Sequence, residues 1–518
     1  MRNSVNILRY SLWQLGIVVL GIGILGASMQ AWGVVVHSDS VDYQVMSRCI
    51  TEDSGSFIAV PDCHLLILHY PPLFPLVIAA IKALRVDFMS GVGWLNMFLF
   101  GCNVFIAGFI LKEFTRSVMM ALAGSFLMAI APDMLDLSSQ ALTEPLFLFF
   151  TYLTLLGLIL YLKKGCKRVL LLAAILASLA FLTRFAGSAL IVAGTISIAF
   201  PHRPKRANAW KHALIFFCLG ILPMGVWWFK NVLAYGVVID RLAVFHPLTW
   251  ESFREMAGVV GDWVVSKKYP VSCQEFLLAG IMAVFVMGGW RLGQRLYAEN
   301  ADARQDVFDR FSFLLVLAII FYSISLVLTM TFLDGYMTFS HRYLLPIYVF
   351  GGGLFLGQLY RICMAGRSTT SVHFFTGWLI LGYLAVFYTV GSVVWLRRHI
   401  DRGDGYASRG WRHSAVIQRL RSFPATQKIY SNVTTPIYIL TGRVAFEIPW
   451  PVDPMNQQVN GRYRQELDRM AQELRQDKGV FVYFEHGDVP VESLENMKER
   501  LPLHLLERYE DGAIYKVD

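Results

Sequence analysis

Residues 141–162 read ALTEPLFLFFTYLTLLGLILYL, with one charged side chain, Glu144, in the whole stretch. A bilayer core about 30 Å thick needs roughly 20 mainly apolar residues in helical form, and this run supplies them. Its apolar positions are continuous rather than alternating, which argues against a barrel strand. In hydrocarbon the backbone must satisfy its own hydrogen bonds, so the run is a helix. Lys163, Lys164, Lys167 and Arg168 close it at one end, and comparable runs recur on both sides, from Leu12 to Leu396. Over 518 residues, 55% are hydrophobic and 16% charged, against about 25% charged in a soluble domain.

The sequence predicts a polytopic α-helical membrane protein with about eleven spans. They fall roughly at 11–34, 93–111, 117–131, 141–162, 168–184, 186–200, 211–229, 273–290, 312–333, 343–361 and 374–396. Arg184 and Gly187 interrupt the apolar run of the fifth and sixth. The first segment, Arg9 to Trp32, is too long for a signal peptide and is followed by no clean cleavage site, so it reads as a retained span.

With the N-terminus in the cytoplasm, the loops on that side hold 18 basic and 5 acidic residues. Among them are Lys112, Arg116, Arg203, Lys205, Arg206, Glu299, Asp302 and Arg367. The outer side of the same region holds 10 basic and 15 acidic residues. The net charge of +9 therefore reflects membrane topology rather than nucleic-acid binding. An odd number of spans places the chain after 396 outside.

Two domains are expected: residues 1–396 in the membrane, with a first outer loop at about 35–92, and a soluble extracytoplasmic α/β domain at 397–518. The second is nearly neutral, with 18 Lys and Arg against 17 Asp and Glu. Its pattern predicts helices at Trp411–Phe423, Thr435–Thr441 (ended by Gly442), Tyr463–Gln476 and Val491–Leu501 (starting at Ser493). Strands are expected at Lys428–Ser431 and Val480–Glu485, and a hairpin at His504–Val517 around Asp511-Gly512.

Of seven cysteines, Cys49 and Cys63 share one outer loop; a disulfide and two free thiols are both open. No zinc-ligand spacing and no nucleotide-binding motif occurs. Gly351-Gly352-Gly353 lies within a span and reads as close helix packing.

The outer side carries the candidate chemistry. His37-Ser-Asp-Ser-Val-Asp-Tyr43 follows the first span, so Asp39 and Asp42 sit near the membrane surface. A carboxylate beside apolar surface holds its proton more tightly and serves as a base; alternatively Ser38 or Asp39 caps a helix. In His69-Tyr70-Pro-Pro-Leu-Phe-Pro75 the prolines impose an extended lead into the run from Leu76 to Leu84. Lys82 and Arg85 then suggest an interfacial helix. Glu144 is an intramembrane carboxylate and so a default site candidate; the alternative is a helix-start role beside Pro145. Asp133 and Asp136 are weaker candidates. Arg184, alone in an apolar run, needs a carboxylate or a phosphate, and a structural pair with Glu144 is the plain reading. Lys230-Asn231, Arg241 and His341-Arg342-Tyr343 are further outer-side groups. Each could also be an interfacial anchor. Together the cations suit a lipid phosphate, and the carboxylates suit activation of a hydroxyl.

In these motifs the chain resembles membrane glycosyltransferases of the GT-C fold. It is similar to the protein O-mannosyltransferase and lipid A aminoarabinose transferase group. The resemblance rests on Asp39-Ser-Val-Asp-Tyr43, Tyr70-Pro-Pro-Leu-Phe-Pro75, Ala141-Leu-Thr-Glu-Pro145, Leu182-Thr-Arg184, Trp228-Phe-Lys-Asn231 and Arg342-Tyr-Leu-Leu-Pro346, in that order through the membrane region. Ile429-Tyr-Ser-Asn432 and Ile437–Gly442 look like the outer domain appended in many bacterial members.

The resemblance implies an essential acidic residue in the first outer loop, here Asp39 with Asp42 as the alternative, and a second acidic position at Glu144. Aminoarabinose transferases carry a lysine before the Pro-Pro pair that helps bind lipid phosphate. Tyr70 stands there, after His69, so phosphate binding falls on Arg184, Lys230 and Arg342, with Arg241 nearby. Tyr43, His69, Tyr70, His341 and Tyr343 would line the substrate. The implied activity is inverting transfer of a monosaccharide from a polyprenyl phosphate to a lipid, glycan or protein acceptor. It needs no cofactor and no required metal, and the implied location is the bacterial inner membrane. The rivals are a lipid-linked sugar flippase, although no internal repeat is present, and a non-catalytic subunit of an envelope polysaccharide system.

Overall fold

The computed structural model describes residues 2–51, 63–200, 208–265, 270–296, 303–364, 372–424, 426–453, 457–485 and 494–517. The loop residues Arg203, Lys205, Arg206, Glu299, Asp302 and Arg367, and the expected helix start at Ser493, lie outside them.

The chain begins with α1 (Arg2–Met29), α2 (Ser38–Thr51), α3 (Cys63–His69), α4 (Leu73–Ala83) and α5 (Phe88–Thr115). It continues through α6 (Val118–Ile130), α7 (Pro132–Ser139), α8 (Glu144–Lys164), α9 (Lys167–Thr183) and α10 (Gly187–Ala199). Then come α11 (Ala209–Tyr235), α12 (Trp250–Asp262), α13 (Val271–Leu296), α14 (Ala303–Phe332), α15 (His341–Leu359) and α16 (Val372–Arg402). Among the described residues, eight helices are long and apolar enough to cross a membrane: α1, α5, α8, α11, α13, α14, α15 and α16. A ninth span results if α6 and α7, which meet at 55°, count as one broken span. The protein is an integral membrane protein.

The difference from eleven lies at 168–184 and 186–200. These fold as α9, of 17 residues, and α10, of 13. At 1.5 Å per residue they reach about 25 and 20 Å, short of a bilayer core. Arg184 adopts an extended conformation at the end of α9, so the break falls where the charge is. The bundle is ordered around α8. Its most apolar window is 72% buried, against 6% for α13 at the periphery. The packed core joins side chains of α1, α5, α6, α8, α9, α10, α11, α14, α15 and α16.

The segment expected as the first outer loop folds, in its described residues, as α2, α3 and α4. A disulfide joins Cys49 to Cys63, with Cα atoms 5.7 Å apart, and so ties the end of α2 to the start of α3. Helix α4 begins at Leu73, three residues before the expected apolar run, because Pro75 lies in its first turn, where no amide hydrogen is needed. It buries Phe74, Pro75 and Ile78.

The C-terminal region carries α17 (Arg409–Arg412), α18 (Ala415–Leu420), β1 (Ile429–Ser431), α19 (Thr435–Thr441), β2 (Phe446–Glu447), α20 (Tyr463–Gln476), β3 (Val480–Phe484), α21 (Leu494–Arg500), β4 (Leu503–Tyr509) and β5 (Gly512–Val517). The five strands form one mixed sheet in the order β2-β1-β3-β5-β4. Strand β1 is parallel to both β2 and β3, and the other neighbours are antiparallel. The single helix expected at Trp411–Phe423 divides, because the Ser414 hydroxyl accepts from the Ile417 amide and starts a new helix. Strand β2 has two residues, too few to leave a periodic signature.

This region is fastened to the segment between α1 and α2. The Tyr406 amide donates to the Val36 carbonyl at 2.8 Å, Arg412 Nη2 to the Trp32 carbonyl at 2.7 Å, and Trp32 Nε1 to the Ile400 carbonyl at 2.9 Å. From the other side, Val35 pairs with Gln140. Gly405 sits against this clamp with φ +59°, and a Cβ there would meet the Val36 carbonyl oxygen at 2.4 Å; only glycine fits such a position.

Candidate active site

Five stretches distant in sequence meet at the end of the bundle where this clamp lies. They are the first turn of α2, the joint between α3 and α4, the start of α8, the end of α9 and the start of α15. Carboxylates at the starts of α2 and α8, and Arg184 after α9, each have the sign that the local helix end favours. Arg342, at the start of α15, has the opposing sign and is held there by carboxylates instead.

Arg342 is the hub. Its Nη1 lies 2.6 Å from Asp39 Oδ2 and its Nε 2.5 Å from Glu144 Oε1. Glu144, 1% exposed, is paired a second time by Arg184. Arg184 also donates to the Thr143 hydroxyl at 3.1 Å. On the other side the Tyr70 hydroxyl lies 3.0 Å from Asp42 Oδ2 and 3.3 Å from Asp39 Oδ1. Tyr43 is buried against it, with ring centroids 4.8 Å from Tyr70 and 5.3 Å from Phe74. Asp39, Asp42, Tyr70, Glu144, Arg184 and Arg342 thus form one connected network. Asp39, Glu144, Arg184 and Arg342 balance in charge, and Asp42 stands outside that balance. Ser38 and Asp39 are the first two residues of α2 and lie within its first turn rather than at the N-cap; the Ser40 hydroxyl accepts from the His37 amide at 3.0 Å.

The two aspartates of α2 are driven apart. Burial alone would raise the proton affinity of Asp39, but the Arg342 guanidinium overrides it and holds the group below the usual carboxylate value. Asp42 is pushed up to about 7 by burial and by the negative charge of Asp39, with the Tyr70 hydroxyl pulling the other way. Burial and the two carboxylates raise the Tyr70 phenol well above its usual value, so it remains a donor.

The Asp42 shift has a consequence for stability. Between pH 3.8, the ordinary value, and about 7, folded Asp42 holds a proton that the unfolded chain has lost. Its stabilising contribution is complete below the lower value and disappears as pH rises through the upper one. Thermal melting should therefore fall more steeply between pH 5 and pH 8 for the wild type than for Asp42→Asn. Parallel pH profiles would refute this.

The remaining predicted residues form two flanking groups and one outlier. His69 Nε2 lies 3.0 Å from Arg241 Nη2. Arginine only donates, so that nitrogen accepts, and Nδ1 carries the hydrogen towards Asp240 Oδ2, 3.1 Å away. Arg241 also reaches Asp334 at 3.4 Å. His341 stands between Asp133 and Asp262, at 3.0 and 3.5 Å. The Tyr343 ring lies 5.7 Å from the Arg342 guanidinium carbon, and its carbonyl accepts from the Tyr322 hydroxyl. Lys230 is the outlier. It is exposed, lies 4.2 Å over the Trp227 ring, and has no ion pair among the described residues.

Sequence reasoning did not find Asp240, Asp262 and Asp334, isolated carboxylates whose only signal is that the basic groups near them need partners. It also missed Glu447 on β2, whose negative charge acts on Asp42. Nothing in its local sequence marks it.

No known family model matches the chain, and no curated protein matches it. Solved structures do match. ArnT from Cupriavidus metallidurans in the apo state aligns with a TM-score of 0.55 at 9% identity, covering 98% of each chain. The same protein bound to undecaprenyl phosphate gives 0.53 at 11%, over 97% of each. The oligosaccharyltransferase AglB from Archaeoglobus fulgidus, in complex with an inhibitory peptide and a dolichol-phosphate, gives 0.53 at 11%, over 91% of this chain and 69% of that one. At such identities the likeness establishes architecture, and it covers nearly the whole chain, so the protein has the GT-C fold.

Proposed function

We propose that this chain is an inverting glycosyltransferase that moves a monosaccharide from a polyprenyl-phosphate carrier to a lipid, glycan or protein acceptor on the non-cytoplasmic face of the membrane. The observation that carries the reading is the Arg342 hub, which holds Asp39 and Glu144 in one buried network. Support comes from the fold, since matching structures hold undecaprenyl phosphate and dolichol-phosphate. The disulfide suits an oxidising, non-cytoplasmic compartment, and the basic loops suit an N-terminus inside. The region from residue 397 is then an extracytoplasmic domain in a bacterial inner membrane protein.

In the reaction the acceptor oxygen bonds to the anomeric carbon while the bond from that carbon to the phosphate oxygen breaks. The proton passes to Asp39, and the bond's electron pair leaves with the lipid phosphate. A single displacement inverts the anomeric centre. Lys230, with no carboxylate partner among the described residues, is the cation free to meet the phosphate first. Arg342, Arg184 and Arg241 stabilise the charge that gathers on it. As Arg342 turns towards phosphate it leaves Asp39, whose proton affinity then rises in its buried position. Donor binding and activation of the base become one event. Tyr43, His69, Tyr70, His341 and Tyr343 line the sugar and acceptor. The prenyl chain lies along the apolar cavity bordered by Phe114, Leu127, Met134, Tyr348, Gly352 and Tyr388.

The test is a panel of radiolabelled polyprenyl-phosphate sugars given to the purified protein with envelope lipid and glycan extracts. Release of free polyprenyl phosphate with labelled product is expected for one donor, and its new linkage should have the opposite anomeric configuration. Transfer with retained configuration would exclude single displacement. Movement of the intact donor across proteoliposomes, with no transfer, would make the protein a flippase.

A further inference from the structure

A second cluster lies at the same end of the bundle, outside the hub. Asp136 on α7, His399 near the end of α16 and Asp404 just beyond α16 bring one oxygen, one nitrogen and one oxygen within 4.8 Å of one another. His399 is 3% exposed. Its Nδ1 lies 3.0 Å from the Trp395 carbonyl oxygen, which can only accept, so Nδ1 carries the hydrogen. In the neutral ring Nε2 is then a bare lone pair, and it has no hydrogen-bond partner. It faces Asp136 Oδ1 at 3.6 Å and the Asp404 carboxylate, which also only accept. The two carboxylates have donors of their own, but Nε2 has none among the described residues, so its lone pair faces carboxylate oxygens unless a cation or a second ring proton stands between them.

We propose that Asp136, His399 and Asp404 bind a divalent transition-metal ion, zinc by the character of its donors, and that the ion ties the bundle to the C-terminal region. Zinc takes histidine nitrogen and carboxylate oxygen at about 2.0–2.2 Å, and two such ligands on a tetrahedral ion stand about 3.4 Å apart. The separation of His399 and Asp136 is close to this. The supporting contacts are those that orient metal ligands. Nδ1 is fixed by a carbonyl, Asp136 Oδ1 accepts from Trp395 Nε1 at 2.9 Å and Oδ2 from Gln140 Nε2 at 2.8 Å. Asp404 Oδ1 accepts from the Gly405 amide at 2.9 Å, and Arg398 stands 3.5 Å from its other oxygen. Asp136 and Asp404 are 35% and 38% exposed, so an ion can reach the cluster and water can complete its coordination. The ligands come from α7, α16 and the segment leading to the clamp, so one ion would join all three. The site is independent of the proposed transfer reaction and does not supply its chemistry.

The full-length protein, stripped with chelator, re-equilibrated with limiting zinc and desalted, should retain one zinc per chain by elemental analysis. Asp404→Asn and His399→Gln should each weaken zinc binding at least tenfold in calorimetric titration. Zinc should also raise the melting temperature of the wild type but not of either variant. If His399→Gln does not fold, Asp404→Asn, at a more exposed position, carries the test. Zinc retained equally by wild type and Asp404→Asn overturns the proposal. So does a wild type that takes up none, which would mean that the cluster is an imidazolium ion pair only.

Discussion

Replacing Asp39 by asparagine should lower turnover of a lipid-phosphate sugar by about 10²–10⁴-fold, the range for loss of a positioned base, while the protein still folds. Asparagine has nearly the same shape and keeps one carbonyl oxygen for Arg342, now 2.6 Å from Oδ2, while its amide nitrogen can donate to the Tyr70 hydroxyl, now 3.3 Å from Oδ1. What it lacks is the ability to take a proton. The stability cost is the difference between a charged and a neutral acceptor at a site that is 27% exposed, about 1–2 kcal/mol. Size-exclusion behaviour and thermal melting check the fold, and donor consumption checks the chemistry. Asp42→Asn provides the contrast: if Asp39 is the base, its neighbour's variant keeps measurable turnover. Wild-type rates for Asp39→Asn would remove Asp39 from the mechanism, and a dead Asp42→Asn beside them would transfer the role to Asp42, whose proton affinity near neutrality suits a base.

Replacing Arg342 by methionine should damage both stability and activity. Arg342 is 21% exposed and bridges Asp39 and Glu144, so the substitution leaves Glu144 with one cation and Asp39 with none in a medium that solvates it poorly. Breaking a buried pair in this way costs about 3–5 kcal/mol, and the lower end applies because Arg184 still pairs with Glu144. Lysine in place of Arg342 keeps the charge but not the planar fork that reaches Asp39 and Glu144 from different nitrogens, so its melting point should lie between the two. Asp39→Asn added to Arg342→Met should restore part of the lost stability, since Arg342 is the only ion-pair partner of Asp39 among the described residues, and none of the turnover. Melting curves and donor consumption on the four proteins decide this. A single mutant that melts and turns over like the wild type would mean that the hub is ornamental.

The parts of this site that could be read from sequence were those with a cost attached. Glu144 and Arg184 stand in apolar runs, where a charge persists only with a partner or a function, and the structure pairs them. Asp39 and Asp42 were visible because two carboxylates follow a span directly. The identity of partners was not visible. Arg342 lies 303 residues from Asp39 and 198 from Glu144, and such pairing is set by how α15 packs beside α8 and α2, not by any local preference. Lys230 looked equivalent to Arg342 in sequence, since both are basic residues at the end of an apolar run, yet its helix turns it outward over Trp227. The break between two of the eleven expected spans has a related reason. Hydropathy reads α9 and α10 as apolar, but their length is cut by Arg184, whose guanidinium is drawn to Glu144.

The fastening of the segment between Trp32 and Val36 bears on how such proteins can be recombined. Its donors and acceptors belong to the backbone as much as to side chains, and Gly405 must approach Val36 at a distance that no larger residue tolerates. A chimera that grafts a relative's outer module after residue 396 would have to reproduce that approach, as well as an arginine to reach Trp32. A graft lacking them would leave the helix bearing both aspartates without its seat, so the two halves of this chain can be exchanged only as a matched pair.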